Sequence, residues 1–284
     1  GETARNDKAR GPMPLDVVAL RSFYDSPLGH AVEGIVAARL KDMARDTADD
    51  CAVGLGFAAP FMARFAGRAR TAVSLMPARM GICAWPPEGA NRAALVNEDE
   101  LPLPDASVSR LLVVHALEEA ETPEAVLREI WRVLAPGGRL VAVVPNRRGL
   151  WARADSTPFG NGRPYSRGQL DQLLAGAKLA PTGWSEALFM PPLRARPVVR
   201  AAKVLESIGR RVSPAFAGLI VVEAEKRLWQ PVASDGRALR VPRLVPAMAG
   251  AHPVARFARR RRPAASAALE RHETPGCTAP PDKA

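Results

Sequence analysis

Metal and disulfide chemistry have little to work with in this chain. Its three cysteines, Cys51, Cys83 and Cys277, are neither clustered nor evenly paired among 284 residues, which argues against a disulfide framework and against a zinc site. The four histidines, His30, His115, His252 and His272, are spread along the sequence and suggest no metal constellation. Long apolar runs are missing as well. Apolar runs such as residues 111–114 and, apart from Gly218, 215–222 are strand-sized and far short of the ~20 residues a membrane-spanning helix requires. The first fourteen residues, GETARNDKARGPMP, are polar and basic without an apolar centre, so no secretory signal is visible and the expected location is the cytoplasm.

A formal charge of +11 suggests nucleic acid until it is divided along the chain. From Arg227 onward eleven Lys/Arg face four Asp/Glu, a surplus of seven, which leaves only +4 for residues 1–226. The excess therefore sits in a tail, and the rest is too mildly basic for a dedicated nucleic-acid face. That tail is rich in Pro, Ala and Arg and holds the run Arg259-Arg260-Arg261-Arg262. It is expected to be disordered, either as a solubilising extension or as a contact for a polyanion or a protein partner.

Between a basic arm over residues 1–14 and the tail at 227–284 the pattern is regular. Two helices are expected over 15–45, the second opened by Ser26-Pro27, with Leu28, Val32, Ile35, Val36 and Leu40 on one face. They are placed against a sheet edge, covering a ligand cleft. Strands are expected from Cys51 into the glycine turn and at 72–76, 93–96, 110–115 and 139–144, alternating with helices, one of them capped by Thr122-Pro123 and ended by Pro136-Gly137-Gly138. After a Gly/Pro/Arg-rich loop over 146–166 come a helix from Ser166 to Ala177, strands at 184–190 and 216–224, and a helix at 198–209. The rhythm argues for an open, mostly parallel α/β sheet of seven strands with helices on both faces.

Cys51 to Met62, CAVGLGFAAPFM, reads as strand, tight turn and helix, the arrangement that turns backbone N–H groups and a helix N-terminus toward a nucleotide. Read with two later stretches, Asn97 to Asp105 (NEDELPLPD) and Arg128 to Leu140 (REIWRVLAPGGRL), it resembles the class I S-adenosylmethionine-dependent methyltransferases, in particular the type 11 branch. The resemblance covers residues 50–145 by motif and 166–226 by pattern. It implies the Rossmann-like fold of that family over 1–226, S-adenosylmethionine as cofactor, and methyl transfer to an acceptor whose class the sequence leaves open.

It also implies roles. Gly54, Gly56 and Ala58 match the loop beside the amino-acid end of the cofactor, and Leu75 and Met76 the strand end against ribose and adenine. Asn97 matches the side chain that accepts from the adenine amino group, with the Glu98 N–H beside it. His115, at the end of the fourth strand, is expected to line the cofactor and is the candidate base if the acceptor must lose a proton. For the acceptor the long loop offers Arg147, Arg148 and Arg163 as anion ligands and Trp151 and Tyr165 as flanking rings, or else serves only to shape a turn. Glu118, Glu119 and Glu121 read as acids favoured by a following helix dipole.

Two positions depart from the family pattern. The second strand ends Val73-Ser74-Leu75-Met76-Pro77 with no acid for the ribose hydroxyls, and Ala58 replaces the third glycine of the first motif. The missing acid keeps two other readings open. One is a methyltransferase-like module that has lost catalysis and serves for binding or regulation. The other is a nicotinamide-dependent dehydrogenase with Arg79 on a 2′-phosphate, against which the two later motifs speak.

Overall fold

The computed structural model describes residues 15–43, 51–67, 69–212 and 216–228. The basic arm, residues 44–50 and the tail beyond 228 lie outside them. Seven strands form one sheet: β1 (Cys51–Gly56), β2 (Thr71–Pro77), β3 (Ala93–Val96), β4 (Val108–Val114), β5 (Leu134–Pro145), β6 (Leu179–Ala187) and β7 (Leu219–Lys226). Their order is β3-β2-β1-β4-β5-β7-β6, with β7 antiparallel to both its neighbours. Helices α1 (Val17–Tyr24), α2 (Pro27–Met43), α3 (Ala59–Ala66), α4 (Pro123–Val133), α5 (Arg167–Gly176), α6 (Arg196–Arg200) and α7 (Ala202–Val212) cover the sheet.

Both faces of the central strands are buried, and alternation sorts their side chains. Leu112, Val114, Val141, Val143, Leu219 and Val221 face the layer of α1, α2 and α3, while Leu111, Val113, Leu140, Ala142, Val144, Ile220 and Val222 face α4 and α5. This is why β4 reads as a continuous apolar run instead of an alternating one. Of α1 and α2, expected on a sheet edge, α2 does reach the edge strand β6, where Arg39 Nε donates to Glu186 O at 3.2 Å, while Leu20, Phe23, Leu28, Val32 and Val36 extend the packing over the sheet face, in the same core as Leu112 and Val141. Ser26 joins the two helices by accepting from Gly29 N at 3.0 Å while donating to Phe23 O at 2.6 Å.

Several boundaries differ from the sequence expectation for local reasons. The sixth strand runs over Leu179–Ala187, not 184–190, because Leu188 takes φ +61 and turns the chain away. The helix expected at 198–209 is two, α6 and α7, broken at Ala201. Thr122 caps α4 only through its carbonyl, which accepts from Ala125 N at 3.0 Å. Residues 134–138 belong to β5 as an irregularity: pairing with β4 shifts between Val108 and Arg110, and Gly137 sits at φ +72. A Cβ on Gly138 would fall 2.8 Å from Ala135 O and 3.0 Å from Val108 O, so the Pro-Gly-Gly sequence is a requirement of backbone packing.

Candidate functional site

The carboxyl ends of β1 and β4 meet where an open α/β sheet reverses its strand order, the place such sheets offer to ligands. Gly56 ends β1 at φ +84, and a Cβ there would lie 2.2 Å from Val114 O, so only glycine lets the two strands stay paired at this point. Phe57 follows and donates its N–H to Val114 O at 2.8 Å. Directly after β4 comes His115, wholly buried and held at φ +54, a left-handed conformation that costs a non-glycine residue about 1–2 kcal/mol.

His115 is enclosed by rings. Tyr24 of α1 stands with its ring centroid 5.9 Å away and Phe159 of the long loop at 4.7 Å, while Tyr24 itself stacks on Phe57 at 5.6 Å. The Tyr24 hydroxyl is 2.9 Å from His115 Nε2. On the other side, Nδ1 lies 3.2 Å from Glu118 Oε1, close enough for an ion pair but out of line for a hydrogen bond. A carboxylate beside Nδ1 favours the proton there, which leaves Nε2 to accept from Tyr24. Burial, and next the charge of Glu118, push the Tyr24 hydroxyl well above its ordinary range, so it stays a donor.

Glu118 is the unusual member. Its side chain is 1 % exposed, and neither carboxylate oxygen has a hydrogen-bond donor. Glu119 Oε1 is also without one, and burial followed by the Glu118 charge raises the Glu119 carboxyl above its usual value. Reading these acids as a helix-dipole cluster accounts for neither, because α4 begins only at Pro123 and Glu118 turns into the protein. A buried carboxylate with no donor, next to a half-buried one lacking a donor on one oxygen, marks a place suited to a cation.

Beside them a cavity of about 370 Å³ is lined by Ala78, Arg79, Asn97, Glu98, Asp99, Glu121, Thr122 and Val126. Asn97 and Glu98 thus face one hollow. Arg79 is ion-paired to Glu98. At the end of β2, Leu75 and Met76 are buried, and Met76 Sδ accepts from Cys83 N at 3.4 Å. Gly54, Gly56 and Ala58 lie at the β1 turn, around the aromatic cluster and not on the walls of this cavity.

The turn that carries Asn97 and Glu98 is clamped to α4. Glu129 Oε1 accepts from Leu101 N at 2.7 Å, and Arg132 donates to Leu101 O and Leu103 O, each at 3.0 Å, besides pairing with Glu129 and Asp105. The Leu-Pro-Leu-Pro-Asp stretch and the Glu-x-x-Arg of α4 are therefore one device. The Arg132 hydrogen bond, the largest influence, holds the Glu129 carboxyl below its usual range.

The long loop packs down rather than covering an opening. Trp151 is completely buried and donates from Nε1 to Met190 O at 2.7 Å, so it serves the core where it was expected to flank an acceptor. Tyr165 is buried too and donates to Leu117 O at 2.9 Å; burial pushes its hydroxyl up to about 12. Arg147, Arg148 and Arg163 are exposed. Arg163 shares a cavity of about 490 Å³ between α4 and α5 with Arg128 and Gln169, whereas Arg148 lines another of about 330 Å³ beside Arg167 and Glu186. The structure does not bring these loop residues together with His115. Sequence reading also missed Tyr24 and Phe159, which carry no motif, and Phe57, which lies inside the glycine turn; all three are recognisable only once α1 and the loop are seen to converge.

Residues 50–142 match the family model described as a methyltransferase domain. Rv2003c, an uncharacterised protein of Mycobacterium tuberculosis, is 28 % identical over 226 residues, spanning 76 % of this chain and 74 % of its own length. Among solved structures, the complex between the Haloferax volcanii Trm112 methyltransferase activator and its methyltransferase partner matches with a TM-score of 0.54 at 16 % identity, over 74 % of this chain and 99 % of that one. Geranyl diphosphate methyltransferase, solved in complex with S-adenosylmethionine, matches with a TM-score of 0.48 at 18 % identity, over 67 % of this chain and 84 % of its own. The seven-stranded sheet is that of the class I methyltransferases.

Proposed function

We propose that this chain, whose residues 50–142 match a methyltransferase domain, takes its methyl group from S-adenosylmethionine and delivers it in line to an acceptor at the carboxyl ends of β1 and β4. The observation that carries the reading is the pair of donor-poor carboxylates beside His115: Glu118, buried with neither oxygen partnered, and the half-buried Glu119, whose carboxyl feels both His115 and the Arg79 of the cavity at Asn97 and Glu98. They suit a nucleoside that bears positive charge. When bound, S-adenosylmethionine supplies an electrophilic methyl group and needs no metal.

The residues fit that ligand at both ends. Asn97 would hold an adenine amino group through its side-chain oxygen, with the Glu98 N–H as a second contact to the base. Glu98, Asp99 and Glu121 bring carboxylates to the same cavity, so the acid missing from Leu75-Met76-Pro77 is available from the neighbouring turns. Gly54, Gly56 and Ala58 form the turn at the amino-acid end, where Glu118 and Glu119 balance the charge. Tyr24, Phe57 and Phe159 exclude water around His115.

His115 takes a proton from an acceptor only if Nε2 is freed from Tyr24, which requires α1 to draw back. Glu118 at Nδ1 then stabilises the imidazolium. Arg163 and Tyr165 line the cavity between α4 and α5 and Arg148 another, so none of the loop's arginines supplies an acceptor contact at His115 in this reading.

Calorimetric titration of the full chain with S-adenosylmethionine and S-adenosylhomocysteine, with NADPH as control, tests the reading. Micromolar binding of the sulfur ligands, weakened at least about tenfold in Asn97→Ala, is expected. A folded protein that binds neither sulfur ligand, or binds NADPH alone, overturns it.

A further inference from the structure

One surface of the molecule has no part in the methyl-transfer reading. The segment from Leu193 through α7 carries six cations, Arg194, Arg196, Arg200, Lys203, Arg210 and Arg211, all exposed. Its one acid, Glu206, is buried, accepting from Arg39 at 3.2 Å and from Phe189 N at 2.9 Å. The same Glu206 fixes which side of α7 faces inward, together with Ala202 in the core and Gly209, where a Cβ would fall 2.3 Å from Phe189 Cβ. The opposite side is therefore held outward, and it is not polar. Val204 is 60 % exposed and Ile208 53 %, one helical turn apart on one face, and Leu193 ahead of α6 is 52 % exposed. Arg200 and Arg211 continue the stripe at either end of the Val204–Ile208 pair.

We propose that the α6–α7 face docks the protein on an anionic lipid surface. A branched aliphatic pair ringed by arginine and lysine matches the boundary between acidic headgroups and acyl chains: the apolar tips enter the hydrocarbon while the long cationic side chains reach back to phosphates. The charge complement selects the partner. A neutral apolar partner leaves six cations unmatched, and a nucleic acid leaves Val204 and Ile208 in water, with no aromatic residue between Pro191 and Val212 on which a base could stack. Docking of this kind needs no spanning segment, in keeping with the absence, among the described residues, of any helix long and apolar enough to cross a membrane.

The test is flotation of the full chain with phosphatidylcholine vesicles, with and without 30 mol % phosphatidylglycerol, at two salt concentrations. Three chains are compared: the unmodified protein, Val204→Ser/Ile208→Ser and Arg200→Gln/Arg211→Gln. The expected result is binding only to the anionic vesicles, weakened by salt, and reduced at least about tenfold in each variant, with melting temperatures unchanged because all four side chains face outward. Three results overturn the proposal. They are no binding by the unmodified chain, binding that both variants retain, and tighter binding of a single-stranded RNA 20-mer that the same variants abolish.

Discussion

Tyr24→Phe isolates the contact that ties α1 to the site. The substitution keeps the ring, with its stacking on Phe57 and edge contacts to Phe23 and Phe61, and removes only the hydroxyl that sits 2.9 Å from His115 Nε2. His115 is fully buried, so no water replaces the lost donor and Nε2 is left unsatisfied. The expected cost is about 1–3 kcal/mol. At the size of this folded unit that lowers the melting temperature by roughly 3–10 °C. Urea unfolding followed by tryptophan fluorescence reads the change directly. A double-mutant cycle with His115→Asn, chosen because asparagine tolerates the φ of +54, should return a coupling of at least about 1 kcal/mol. Refutation is simple to state: a Tyr24→Phe protein as stable as the unmodified one, or a cycle with no coupling, means that the hydroxyl and the imidazole do not meet in solution.

Three further outcomes are expected. Gly56→Ala, placing a methyl 2.2 Å from Val114 O at φ +84, should cost more than about 2 kcal/mol in urea titration whether or not ligand is present, since the clash is with backbone. Glu129→Gln should lose about 1–2 kcal/mol at pH 7. The native Glu129 carboxyl is held low, so its stabilisation is present above the unfolded pKa and fades as pH falls through the folded one; the difference between variant and parent should shrink in acid. Glu119→Gln should behave oppositely. The native carboxyl is raised by burial, so ionising it opposes folding at neutral pH, and the variant should melt higher at pH 7 with the gain gone near pH 4.

The elements that carried sequence motifs were readable at the level of residues. The glycine turn and the apolar β4 fall where their patterns put them, because each is fixed by a local requirement: a positive φ and burial on two faces. The clamp of Arg132 and Glu129 on residues 101–105 gives the two later motifs their physical meaning, but the pairing of one with the other is a tertiary fact. Edges drifted where a single backbone angle decided the end, as at Leu188, or where an irregular register let Pro136-Gly137-Gly138 stay within a strand.

The site was legible in halves. Asn97 and Glu98 face a cavity, and His115 stands at the strand end assigned to it. The partners that define His115 were hidden, since Tyr24 lies ninety-one residues upstream and Glu118 looks like an ordinary helix-preceding acid. Trp151 misled for the opposite reason: an aromatic in a Gly/Pro-rich loop suggests a lid, yet Gly218 leaves space that its indole fills.

Hydrogen exchange of the full chain with and without S-adenosylhomocysteine, resolved by peptide, tests most directly the claim that the cofactor sits at the carboxyl ends of β1 and β4. The account predicts protection concentrated in residues 54–58, 97–99 and 115–119, with the peptides of β6 and α7 unchanged. Protection confined to other segments, or no change at saturating ligand, would contradict it.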